Sequence, residues 1–199
     1  IVQSDLAALV SEVVDLIYAS FTFEQVKRML GLMQSVSDMT RDFHQDMELR
    51  EMEKKLGFPK EGDMLPTLIY EQVAVETSII HVLFVLYMDE KAPERHEYAN
   101  ADLLERMKNY LAEYVEIEKE AHVSEDEKVK KEKERVAVAS VPLITEIVNG
   151  MDKTPFDKFM AYSATFYPLF VSMIEFSGSE VRAALAKIFR DKIGKMLFP

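Results

Sequence analysis

The chain has 199 residues, no cysteine and a formal net charge of −11 at pH 7, with 48% hydrophobic and 30% charged residues. This composition is typical of a globular chain with a real core, and it excludes a disordered protein, a disulfide framework and thiolate metal sites. The acidic balance argues against non-specific nucleic-acid binding. There is no signal-peptide pattern, and the lack of cysteine fits a reducing compartment. Because the sequence opens on Ile1 rather than Met, we expect it to be a piece of a longer protein.

The N-terminal part of the sequence has helical periodicity. A first helix is expected to end near Ser20, and a capping box of Thr22 and Gln25 predicts the start of the next one. Further helical stretches continue until Gly57, which has Pro59 behind it. Methionines recur along this part, and they are interpreted either as core residues or as an adaptable docking groove: Met29, Met33, Met47 and Met52.

The next predicted helix is the most apolar one. It begins with Pro66 in its first turn and runs to about Met88. It contains the longest apolar run of the chain, which has ten residues, whereas a membrane span needs about 20. Since its apolar residues cover nearly all faces, we expect it to be central in the fold. His81 lies inside the run and is predicted to be a satisfied core histidine rather than a metal ligand.

A highly charged stretch interrupts the apolar pattern further along. After an amphipathic helix around residues 103–115, fourteen of the twenty residues from 116 to 135 are charged, eight acidic and six basic. Mixed signs of charge are typical of a solvated surface, so this segment is predicted to be a solvated helix extension or a flexible loop.

The remainder is predicted to contain further helices. An apolar pattern returns after the charged stretch and is expected to end at Gly150. Thr154 and Pro155 suit the cap and first turn of the following helix, which Pro168 is expected to break or kink. The final helix is predicted to begin at Ser179. No segment shows strand alternation, and the sequence therefore predicts an all-α fold of roughly seven to nine helices.

We find no pattern that indicates catalysis, a metal or a cofactor. Gly57 and Gly62 have the spacing of a phosphate loop, but Asp63 and Met64 replace the required Lys and Ser or Thr. There is no G-x-S-x-G turn. The Glu-x-x-His pattern of di-metal bundles is missing before each histidine: His44, His81, His96 and His122. The sequence thus predicts no catalytic, metal-binding or cofactor-binding residue.

Three stretches carry a resemblance to a known family. They are FTFEQVKRMLGLMQSVSDMTRDFHQDMELREMEKKLGF, YEQVAVETSIIHVLFVLYMDE and FDKFMAYSATFYPLFVSMIEFSGSEVRAALAKIFRDKIG. In this order they resemble segments near the C-terminus of the large, brefeldin-A-inhibited Arf guanine-nucleotide exchange factors. In the last stretch the positions that carry the resemblance are Tyr167, Pro168, Glu180, Arg182, Leu185, Phe189, Arg190, Ile193 and Gly194.

The resemblance implies a single regulatory domain over residues 1–199, the last homology region downstream of a catalytic exchange domain that this chain lacks. It implies stacked antiparallel helical hairpins of HEAT or armadillo type, at the cytosolic face of the trans-Golgi network in vesicle-mediated protein transport. The implied partners are other regions of the exchange factor, a second copy of the chain, or Arf- or Rab-type small GTPases. Through these contacts the domain would act in recruitment, autoinhibition or self-association. An alternative is a helical scaffold or tethering module unrelated to nucleotide exchange.

The C-terminal helix stands out by its charge. From Val181 onward five cations face one anion, a net of +4, so the preceding residues carry −15. Three interpretations are open: the apolar face packs on the preceding hairpin, with Arg182 paired to a local carboxylate; the helix makes weak peripheral contact with an anionic membrane; or it binds a protein. Protein contact is favoured over lipid because the net charge opposes an anionic surface. The candidate interaction residues are Lys187, Arg190, Lys192 and Lys195.

Overall fold

The computed structural model describes residues 12–13, 15–16, 18–45, 64–89 and 91–197, and within these ranges it contains helices and turns but no strand. The prediction of an all-α fold is therefore confirmed. After short helical pieces between residues 12 and 20, the elements are α1 (Phe23–Gln45), α2 (Met64–Met88), α3 (Pro93–Val123), α4 (Glu127–Lys153), α5 (Phe156–Phe176), α6 (Ser179–Ile188), a π-helical turn (Phe189–Ile193) and a last short helix α7 (Gly194–Leu197).

The chain forms two compact units, one that ends at Ile79 and one that begins at Ile80. The boundary therefore falls inside helix α2. The prediction of one regulatory domain over residues 1–199 stays a prediction.

In the first unit, the start of α1 follows from a local sequence signal. The backbone N–H of Thr22 donates to Gln25 Oε1 at 2.8 Å, and the N–H of Gln25 donates to Thr22 Oγ1 at 3.3 Å. This confirms the predicted capping box. Further along, the buried hydroxyl of Ser37 donates to the buried carboxylate of Glu76, which joins α1 to α2. Met29 and Met33 are half-buried, while Met47 and Met52 lie outside the described residues.

Replacing Thr22 by alanine is expected to lower the free energy of unfolding by about 1 kcal/mol, because the N–H of Gln25 loses its acceptor at the exposed end of α1. Urea denaturation followed by far-UV circular dichroism measures the change. Ser35→Ala is the matched control, since the Ser35 hydroxyl only bonds back to the carbonyl of Gly31 inside the helix. Equal effects of the two substitutions would contradict a capping role.

The second unit is organised by four helices. Three residues connect α3 to α4, so the two run antiparallel, and an ion pair between Glu120 and Lys133 joins them near the turn. Helix α5 packs on α3, and α6 packs on both α4 and α5. Helix α5 therefore lies between α3 and α6, its two main packing partners. Two stacked helical hairpins would make these contacts, α5 on α3 and α6 on α4. Whether the fold belongs to the HEAT or armadillo class stays a prediction.

The C-terminal part of α2 is buried on all sides, as its composition predicts: Ile80, Val82, Leu83 and Leu86 have no accessible surface. His81 Nδ1 lies 2.8 Å from Glu146 Oε1 on α4 and is mostly buried, so the prediction of a satisfied core histidine is confirmed. The ring of Phe84 lies directly against Gly150.

Two predicted helix boundaries near the C-terminus are wrong, and Pro168 does not break the helix that contains it. Helix α4 continues past Gly150 to Lys153, because Gly150 serves a packing contact rather than a helix end. The hydroxyl of Thr154 donates to the carbonyl of Gly150 at 2.9 Å, so it closes α4 instead of capping α5. Helix α5 is continuous through Pro168. Because Pro168 has no backbone N–H, the carbonyl of Ala164 has no donor within the helix. Both residues are exposed, so water can donate to that carbonyl.

The charged segment 116–135 is helical on both sides of the α3–α4 turn. Asp126 caps α4, since its carboxylate accepts from the backbone N–H groups of Lys128 at 2.8 Å and Val129 at 3.5 Å. Most of the segment is exposed, and short-range ion pairs such as Glu116 with Lys119 run along it. Of the two predicted alternatives, the solvated helix extension describes it.

A candidate interaction surface on helices α5 and α6

The apolar face of α6 belongs to the core. Val181, Leu185 and Ile188 are at most 1% exposed, in contact with α4 and α5. Burial of this face leaves it unable to meet lipid or a partner. Arg182 is exposed and forms no ion pair with any described residue, so the expected pairing with a local carboxylate is absent from that part of the chain.

The four predicted interaction cations have different environments. Lys192 Nζ donates to the carbonyl of Thr154 at 2.6 Å and so fastens the C-terminal turn to the end of α4. Arg190 makes two hydrogen bonds to Asp191, at 2.6 and 2.7 Å, which raise the pKa of Arg190 and lower that of Asp191. Lys187 and Lys195 are exposed. The charge of this helix therefore faces solvent while its apolar side is buried.

The π-helical turn explains the glycine of the family-like motif. The N–H of Gly194 donates to the carbonyl of Phe189, and a Cβ at Gly194 would lie 3.2 Å from that oxygen. Such a contact is tighter than ordinary van der Waals packing. Ile193 on this turn is buried, so the turn directs one more apolar side chain inward.

The inner face of α5 is a ladder of aromatic rings. Tyr162 lies 5.5 Å from Phe159 and 5.6 Å from Phe166 between ring centroids, in edge-to-face geometry, and Phe170 continues the series. Burial raises the pKa of Tyr162, so this residue stays neutral at physiological pH. These four rings are at most 5% exposed, and Tyr162 also meets the ring of Tyr87 on α2 edge-to-face, so this side of α5 packs inward.

A second side of α5, roughly 110° around the helix from the aromatic ladder, is also apolar, and it faces solvent. At about 100° per residue, its six residues fall within roughly 80° of one another and extend over about 27 Å of helix. Five of them are between 38% and 49% exposed, and the alanine is exposed as well. We call this set the outer row: Phe156, Met160, Ala164, Tyr167, Val171 and Ile174.

The two helices beside α5 carry opposite charge. Helix α3 has eight acidic and four basic residues, a net of −4, whereas residues 179–197 have five basic and two acidic residues, a net of +3. Exposed glutamates of α3 include Glu97 and Glu105, and exposed cations of α6 include Arg182 and Lys187. The outer row thus runs along a helix with a negative neighbour on one side and a positive neighbour on the other.

A pocket of about 460 Å³ lies where the α3–α4 turn meets the α5–α6 turn. Its charged lining is mixed, with Glu118, Glu134 and Glu175 beside Lys130 and Arg182. Among the described residues, no group of three His, Cys, Asp or Glu side chains is placed to hold a metal ion. Nor does any helix in the described ranges have the length and apolarity needed to cross a membrane.

The family model described as the BIG2 C-terminal domain matches residues 1–190, and the chain belongs to this family. No solved structure matches the chain.

The outer row is the part of this surface that sequence reasoning missed. The positions of Phe156, Met160, Tyr167, Val171 and Ile174 follow three- and four-residue spacing, which was available as a signal. A second apolar series, which includes Phe159 and Phe166, has the same period on the other side. Periodicity alone does not say which of two apolar faces is buried.

Proposed function

We propose that this chain is the C-terminal regulatory domain of a large Arf guanine-nucleotide exchange factor of the trans-Golgi network, and that it acts by self-association through the outer row of α5. Membership in the BIG2 C-terminal domain family supports the first part, together with the resemblance of the three quoted stretches. The exposed outer row is the observation that carries the second part. In this function the chain contributes contacts rather than catalysis.

The outer row is better suited to a protein than to a lipid surface. Large exposed apolar patches rimmed by polar residues mark interaction sites, and an apolar centre with a polar rim is the ordinary anatomy of a protein interface. An anionic membrane would attract the cations of α6 but repel the acidic face of α3 and a chain of net charge −11. The charges around the row therefore favour a partner that has both signs.

A second copy of the chain offers such a partner. In a symmetric dimer the same surface is used twice, and a twofold axis parallel to α5 places α6 of one copy opposite α3 of the other. Each outer row then covers its counterpart, while the net +3 of one C-terminal segment faces the net −4 of the other copy's α3. Electrostatic complementarity of this kind guides association and fixes its register.

The expected result in solution is a dimer whose mass, measured by light scattering coupled to size exclusion, falls on dilution and at high salt. The variant with Tyr167→Glu and Val171→Glu should be monomeric, because two charges would be buried in the interface. The matched control carries Ala161→Glu and Thr165→Glu, which add the same charges to exposed positions on the polar side of α5, and it should remain dimeric. Circular dichroism verifies that both variants are folded.

A monomer at all concentrations would overturn self-association. If the monomer binds an Arf- or Rab-type GTPase or another region of the exchange factor through the outer row, binding to that partner replaces self-association as the proposed function. Binding to anionic vesicles that is lost in Lys187→Glu with Arg190→Glu would instead support peripheral membrane contact.

The parent assignment is tested separately by the full-length sequence, because a catalytic exchange domain should precede this chain. A parent without that domain would support the alternative of a scaffold or tethering module.

A further inference from the structure

The α3–α4 turn contains a serine followed by three acidic residues: Ser124, Glu125, Asp126 and Glu127. A serine with a glutamate three positions later is a common capping box, which would give the pattern a purely structural role. The structure excludes that role. Asp126 is the cap of α4, and Ser124 is instead the residue that ends α3, with extended backbone angles of −68° and 128°.

The Ser124 hydroxyl is weakly engaged. It donates to the carbonyl of Asp126 at 3.3 Å, a long bond for a hydroxyl donor. Ser124 is half-buried, and every residue from Glu125 to Val129 is exposed, as are His122 and Val123 before it. A segment with so few buried contacts opens locally at low free-energy cost, and its own backbone is already extended at Ser124 and Asp126.

We propose that Ser124 is a phosphorylation site for a serine/threonine kinase whose substrate groove is basic and recognises carboxylates on the C-terminal side of the serine. The three acidic residues that follow Ser124 match such a groove in charge, and two of them, Glu125 and Glu127, are exposed without a capping duty. In the reaction, the bond between Ser124 Oγ and the γ-phosphorus of ATP forms while the γ-phosphorus separates from the β–γ bridging oxygen. ADP leaves, and a carboxylate of the kinase takes the hydroxyl proton.

The phosphate would act by changing surface charge. It adds roughly −1.5 to −2 charges near pH 7. The partial positive charge at the N-terminal end of α4 favours it, whereas Glu125, Asp126 and the partial negative charge at the C-terminal end of α3 oppose it. The tip of the hairpin, beside the pocket lined by His122, Lys130 and Arg182, becomes more acidic. This proposal concerns a different surface from the outer row and does not depend on dimer formation.

The test uses the folded chain, ATP and two purified kinases, one that prefers acidic and one that prefers basic substrates, with peptide mapping by mass spectrometry. The acid-preferring kinase should transfer one phosphoryl group to Ser124, and Ser124→Ala should abolish the transfer. Changing Glu125→Gln and Glu127→Gln together should slow it about tenfold or more, since charge recognition is lost while the Asp126 cap stays. Ser179 is an internal control, because it is exposed and followed by Glu180 but then by Val181 and Arg182.

Two results would overturn the proposal. The first is a folded chain that stays unmodified at Ser124 while a synthetic peptide of residues 119–131 is modified, which means that the turn is inaccessible. The second is a rate that is unchanged when Glu125 and Glu127 are replaced, or equal modification of Ser179, which means that the acidic residues do not direct the kinase.

Discussion

The variant Gly150→Ala is expected to unfold more easily than the native chain, by about 1–3 kcal/mol, because overpacking a closed core costs this much. A Cβ at position 150 would lie between 2.3 and 2.6 Å from three ring atoms of Phe84, closer than real carbon atoms approach. Phe84 is only 2% exposed on a helix buried on all sides, so its ring has little room to move. The expected sign is opposite to that of helix propensity, which favours alanine over glycine by about 1 kcal/mol.

Urea denaturation followed by circular dichroism measures this change, and the chain supplies its own control. Gly31 lies in helix α1, and no neighbouring atom lies within 4 Å of the position that a Cβ would take there. Gly31→Ala should therefore raise the free energy of unfolding by roughly 0.5–1 kcal/mol. The double variant Gly150→Ala with Phe84→Leu should lose less than the sum of its two single variants, because the smaller side chain makes room. If Gly150→Ala alone raised the free energy of unfolding, the Phe84 ring would have moved aside, and the prediction of overpacking would be wrong.

Features that depend on neighbouring residues were predictable from the sequence. The capping box of Thr22 and Gln25 is complete within four positions, and the structure forms both of its hydrogen bonds. The burial of the C-terminal part of α2 follows from a composition that is apolar on all faces, and His81 inside it is satisfied as expected. For the capping box and the burial of α2 the physical cause lies within one helix or its first turn, whereas the partner of His81 is Glu146 on α4.

Features that depend on residues far apart in the sequence were not predictable. Glycine near the end of an apolar pattern is a common helix stop, yet Gly150 continues α4 because it faces Phe84 of another helix. Thr154 was expected to start α5, but its hydroxyl returns to Gly150 and its carbonyl accepts from Lys192. Each residue has a distant contact, Phe84 against Gly150 and Lys192 on the carbonyl of Thr154, although the bond from the Thr154 hydroxyl to Gly150 spans only four residues.

The candidate interaction surface was also predictable only in part. The sequence reveals the positive charge of the C-terminal helix, and the structure places Lys187 and Lys195 at the surface. The sequence does not reveal that Lys192 donates to the carbonyl of Thr154. The outer row escaped notice because α5 is apolar on two sides, and only the structure shows that the side with Phe159 and Phe170 is the buried one.

The variant Leu185→Ala is expected to lose about 2–5 kcal/mol of unfolding free energy, the usual cost of removing a large aliphatic side chain from a core. Leu185 is 1% exposed, and its helix packs on both α4 and α5. Lys187→Ala, two residues away on the exposed side of the same helix, should change stability by no more than about 0.5 kcal/mol. Denaturation of the two variants under one set of conditions measures the difference.

This pair of variants decides whether the apolar face of α6 is core or is available for binding. A large loss for Leu185→Ala, with none for Lys187→Ala, means that α6 contributes only its charges to any surface, and the apolar contact must come from the outer row of α5. Small and equal effects would mean that α6 separates readily from α4 and α5. Its buried residues, with Lys187 and Lys195 beside them, would then form a basic amphipathic helix able to meet a membrane or a partner directly.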